Sequence, residues 1–106
     1  MKFEVELSEK ADRDLRNIFF YIAIDLCAPD AAEKQVNRLW DAMRCLDELP
    51  ERYRRYEDEP WHSRGMRVLP VDNYGVLYIP DLKEKIVRIV SVMYSGRDRN
   101  EQLKQI

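Results

Sequence analysis

Glycine, cysteine and histidine are scarce in this sequence, and each scarcity excludes something. Three glycines among 106 residues, with 45% hydrophobic and 36% charged side chains, describe a folded chain and exclude fibrous or disordered compositions. Two cysteines, Cys27 and Cys45, and one histidine, His62, are too few and too distant for a structural zinc site, which takes four ligands at close spacing. No metal and no cofactor are expected. Both cysteines fall within helical patterns where a small apolar thiol packs well, so they are read as free, buried thiols and not as a disulfide or redox pair. Long apolar runs are missing too: nothing approaches the roughly 18 residues that span a bilayer. Met1-Lys2-Phe3-Glu4 opens with an alternating polar pattern, unlike a signal segment. A cytoplasmic protein without membrane contact is expected.

No sign of charge dominates, the formal balance being -2, but the charges are unevenly spread. Residues 1–60 carry ten basic against fifteen acidic side chains, and residues 61–106 carry eight against five. A polyanionic partner would meet the C-terminal half, although an acidic chain binds nucleic acid less readily than a basic one. The length suits one compact domain, residues 1–106, and there are no internal repeats, low-complexity tracts or long linkers.

Phe3-Glu4-Val5-Glu6-Leu7 alternates apolar and acidic residues, which reads as a short strand with Phe3, Val5 and Leu7 on one face. Ser8 offers an N-cap oxygen, and Ala11, Leu15, Ile18, Phe19, Ile22 and Leu26 follow at spacings of three and four, predicting a helix from about Ser8 to Asp25. Ala28-Pro29-Asp30 breaks and restarts the chain, since proline suits a first helical turn and an early Asp complements its positive end. A second helix then carries Ala32, Val36, Leu39, Trp40, Met43 and Leu46 on one stripe and stops near Leu49-Pro50. The two form an antiparallel hairpin, with Trp40 and Met43 in the core.

Residues 51–63 are dense in charge and aromatics without a period, so they are expected to be a connecting loop in which Trp61 packs locally. Three β-rich runs follow: Arg67 to Val71, Tyr74 to Ile79 and Lys85 to Tyr94, separated by Asp72-Asn73 and Pro80-Asp81-Leu82. The predicted class is α+β: an N-terminal strand, an antiparallel helical hairpin, then a three-stranded antiparallel meander forming one small sheet. Ile86 to Met93 is apolar on both faces, as suits a strand covered by helices on one side and packed inside the sheet. The tail from Ser95 to Ile106 returns to polar residues. His62 has the pKa range of a general base, but a lone loop histidine reads as solvated. Glu57-Asp58-Glu59 reads as a hydrated surface paired with Arg52, Arg54 and Arg55.

Leu7-Ser8-Glu9-Lys10-Ala11-Asp12-Arg13-Asp14-Leu15, the helix exit Leu49-Pro50-Glu51, and the hairpin Gly65-Met66-Arg67-Val68-Leu69-Pro70-Val71 with Asn73-Tyr74-Gly75-Val76-Leu77-Tyr78 occur in one order. Val90-Ser91-Val92-Met93-Tyr94-Ser95-Gly96-Arg97-Asp98 completes it. In that order the fragments resemble the RelE/ParE superfamily of toxins from bacterial type II toxin–antitoxin systems, over essentially the whole chain. The resemblance implies a growth-arresting toxin neutralised by a cognate antitoxin, whose extended C-terminal segment wraps the helical hairpin and sheet. An exposed apolar groove is therefore expected on the isolated chain.

One branch of the superfamily cuts mRNA in the ribosome, and the other poisons DNA gyrase by binding, so the shared fold does not fix the chemistry. Nuclease action needs groups that deprotonate the 2′-hydroxyl, hold charge on phosphorus and protonate the leaving oxygen. Here Arg67, Tyr94 and Arg97 are the candidates, with Arg88 behind them. The sequence departs from the nuclease pattern at Gly75 after Tyr74, at Leu103 in place of a late tyrosine, and in its long hairpin. These departures favour the ParE-like, gyrase-binding reading. A ribosome-dependent mRNA endonuclease, or a non-toxic antitoxin-binding relative, is the alternative. In the ordinary reading Arg67 and Arg88 pair with acidic neighbours across strands, Tyr94 stands on a sheet edge, and Arg97 pairs with Asp98.

Overall fold

The computed structural model describes residues 2–95. Strand β1 (Glu4–Leu7) leads into helix α1 (Glu9–Phe20), whose N-terminus is capped by Ser8: its hydroxyl oxygen accepts from the Ala11 N–H at 3.0 Å. This satisfies one of the donors that every helix start leaves open. The predicted helix does not run unbroken to Asp25. After Phe20 the backbone widens into a π-helical turn, Tyr21–Asp25, and Cys27 reverses the chain at φ 53°. Helix α2 (Pro29–Arg44) then starts with proline in its first turn and ends in a tight 3₁₀ turn, Cys45–Asp47, a few residues before the expected stop.

Strands β2 (Arg67–Val71), β3 (Tyr74–Asp81) and β4 (Ile86–Tyr94) form the predicted antiparallel meander, with β3 running two residues further than expected. The sheet is larger than the meander. β1 joins it parallel to β4, Val5 beside Val87 and Leu7 beside Ile89, giving the order β1-β4-β3-β2 and a four-stranded mixed sheet. A parallel partner needs a long crossover connection, and here the entire helical hairpin and meander supply it. Val90 is an additional residue in β4, since Ile89 pairs with Tyr78 while Ser91 pairs with Leu77. The bulge changes which face the rest of the strand presents.

Both faces of the sheet are covered. On one, Ala11, Leu15, Leu39, Met43 and Leu46 from the helices meet Leu69, Val76, Tyr78, Val87, Ile89 and Val92. Leu39, Met43 and Leu46 are fully buried, and each contributes about 1.5–3 kcal/mol by leaving water. Trp40 is only partly buried, at the margin of this core. On the other face Tyr56, Met66, Val68, Leu77 and Met93 form a second cluster, with Trp61, Ile79 and Val90 at its rim. The predicted loop is thus a cover for the sheet's second face. Its Arg55 bridges Arg67, and backbone bonds from Tyr56 N–H to Met66 O (2.8 Å) and from Val68 N–H to Arg54 O (3.1 Å) close the edge of β2. No periodicity announces this, because the packing is through single aromatics.

Cys27 and Cys45 are free but exposed, contrary to the expectation of burial. Both sit where a helix ends, Cys27 after the π-helical turn and Cys45 after Arg44, so the helical phase that would have turned them inward no longer applies. No helix of the described residues is long and apolar enough to cross a membrane.

Candidate functional site

β1 is four residues long and accompanies only the first part of β4, leaving the stretch from Val90 without a neighbouring strand on that side. Side chains of α1 take over. Ser8 Oγ donates to Val90 O at 2.7 Å, and Asp14 Oδ2 accepts from the Val92 N–H at 3.0 Å and from Ser91 Oγ at 2.6 Å. Lys10 Nζ donates to both Asp14 Oδ1 (3.0 Å) and Ser91 Oγ (3.1 Å). Ser91 is fully buried, so this Lys-Ser-Asp constellation offers no substrate access. It fastens α1 to the sheet by satisfying strand groups that would otherwise lose about 1–3 kcal/mol each.

Arg67 is similarly committed. Its Nη1 donates to Tyr53 O at 2.6 Å and its Nη2 lies 3.5 Å from Glu51 Oε2; its Nε is buried with no partner among the described residues. The acidic neighbour comes from the segment after α2 and not from across the sheet. Beside it, Tyr78 Oη donates to Pro50 O at 2.6 Å, and burial pushes the Tyr78 hydroxyl up to about 12. These bonds hold the turn Pro50–Arg52 against the sheet.

Arg88 is exposed and donates to Asp81 Oδ2 at 2.9 Å. The Glu84 N–H and the Arg88 guanidinium hold the Asp81 carboxyl below the usual carboxylate range. Arg88 pairs with Ile79, and so faces away from the helices, whereas Arg67 pairs with Tyr78 and faces towards them. Tyr94 pairs with Tyr74, four residues along β3 from Tyr78, or roughly 13 Å at the rise of an extended strand. The structure therefore brings no two of Arg67, Arg88 and Tyr94 together. Arg97 lies outside the described residues, as do Asp98 and Leu103.

The remaining polar candidates are tied locally. His62 Nδ1 is 2.8 Å from Tyr56 O, so that nitrogen carries the proton. Glu57 meets Arg54 at 3.0 Å, and Glu59 accepts from the backbone N–H and hydroxyl of Ser63, which hold its carboxyl low. Among the described residues no group of three or more His, Cys, Asp or Glu gathers to hold a metal ion.

Among the described residues, the concentrated exposed surface is apolar. Phe20, Tyr21, Ile24 and Leu26 are between 53% and 64% exposed, all within the end of α1 and the turn beyond it. This turn rests on α2 and scarcely meets the sheet. The surface continues through aromatics at the sheet's end: half-exposed Tyr94 lies edge-on to Tyr74, centroids 5.8 Å apart. Burial, with Tyr94 and Tyr21 adding to it, raises the Tyr74 hydroxyl above its ordinary value. By helical spacing Leu26 belongs to the core stripe, and Phe20, Tyr21 and Ile24 have no expected role. The signal available was the consecutive Phe19-Phe20-Tyr21-Ile22, too wide for one buried helix face.

The family described as the ParE toxin of type II toxin–antitoxin systems, parDE, matches residues 5–99. No curated protein is significantly similar in sequence. Among solved structures, a chromosomal ParDE toxin–antitoxin system from P. aeruginosa is similar at 20% identity and a TM-score of 0.72, over 88% of this chain and 96% of that one. The toxin–antitoxin complex RelBE2 from Mycobacterium tuberculosis is similar at 20% identity and a TM-score of 0.61, over 89% and 99%. A double arginine-to-alanine mutant of E. coli RelE in the free state is similar at 14% identity and 0.69, over 100% and 99%.

Proposed function

Because the chain belongs to the ParE toxin family of type II toxin–antitoxin systems, we propose that it arrests growth by binding DNA gyrase in the cytoplasm and is neutralised by a cognate antitoxin. The observation that carries the choice of binding over cleavage is the dispersal of the described candidate groups, Arg67, Arg88 and Tyr94. Phosphodiester cleavage needs its base, acid and charge clamp within hydrogen-bond reach of one phosphate. Arg67 is spent on Tyr53 and Glu51, Arg88 faces the other way, and Tyr94 stands apart. The exposed apolar end of the hairpin, by contrast, has the apolar and aromatic side chains of a protein-binding surface.

The antitoxin reading draws on the toxin–antitoxin complexes with which the chain shares its fold. An extended segment, ordered only on binding, would cover apolar surface of the hairpin.

The test is a pair of assays on purified toxin. Supercoiling by DNA gyrase should fall as the chain is added and recover with antitoxin, while primer extension on translated mRNA shows no new cuts. Ribosome-dependent cuts that disappear in variants of Arg67, Tyr94 or Arg97 would replace this reading with the nuclease one. Normal growth at confirmed high expression, with antitoxin binding intact, would establish a non-toxic relative.

A further inference from the structure

We draw no further inference here: the strongest candidate, the outer edge of strand β1 at the margin of the sheet with its exposed Glu4 and Glu6, carries nothing, because Arg88 stands beside Glu6 in the strand pair and offsets its charge, and nothing in the structure shows what covers that edge.

Discussion

Between Ser8 and Asp14, α1 answers the polar demands of the strand beside it; less than two turns later, from Phe20 to Leu26, the same hairpin carries four large apolar side chains into solvent. The two regions share a helix and an amphipathic pattern, yet one is finished and the other is not. What separates them is the reach of β4 among the described residues: where the strand runs, side chains of α1 find carbonyls, amides and apolar neighbours, and beyond it the described residues place little against them. A helix that outruns its sheet keeps its apolar stripe but loses its partner. An unfinished surface at the end of a well-fastened helix is how a small protein can present a binding face without loosening its core.

The contrast makes predictions that run from the fastened region to the unfinished one. Leu39→Ala, in the main core, should destabilise the chain by about 2–5 kcal/mol, read as a lower midpoint in urea with the slope unchanged. Asp14→Ala strips the buried Ser91 hydroxyl, the Val92 N–H and Lys10 of one shared acceptor. A loss of about 2–3 kcal/mol is expected, or roughly 10–20 °C in thermal midpoint for a chain of this size; a shift under 3 °C would mean α1 is held by its apolar face alone.

Tyr78→Phe should cost about 1–2 kcal/mol by leaving the Pro50 carbonyl unpaired. It also tests a pH effect. The folded pKa of Tyr78, about 12, lies above the ordinary value of 10. The folded state therefore holds that proton where the unfolded chain has released it, and the stabilisation is complete below about pH 10 and lost between about 10 and 12. Stability measured across that window should fall in the wild type and fall less in Tyr78→Phe. At the far end of the comparison, Ile24→Glu should change stability by less than about 0.5 kcal/mol while reducing growth arrest. Destabilisation comparable to Leu39→Ala would show that the hairpin end is core after all.

Much of this was legible beforehand. The alternation of Phe3, Val5 and Leu7, the Ser8 cap, Pro29 at the start of α2 and the three β-rich runs all reflect local rules, and each appears where expected. The misreadings fall where distant segments decide. Nothing near Arg67 announces that Tyr53 and Glu51 will claim its guanidinium, since those residues lie in a stretch with no period. Nothing near Cys27 or Leu26 reveals that the helix will leave the sheet behind.

By itself, the sequence determined the elements, their order, the apolar stripes and the kinship that its motif order implied, because capping, periodicity and turn chemistry act over a few residues. Tertiary structure alone decided that β1 lies parallel beside β4, that the charged stretch before β2 covers the sheet's second face, and that Arg67, Arg88 and Tyr94 stand apart. It also decided which end of the hairpin stays bare, since burial depends on what another part of the chain places opposite, and that is set by three-dimensional packing and not by neighbours in sequence.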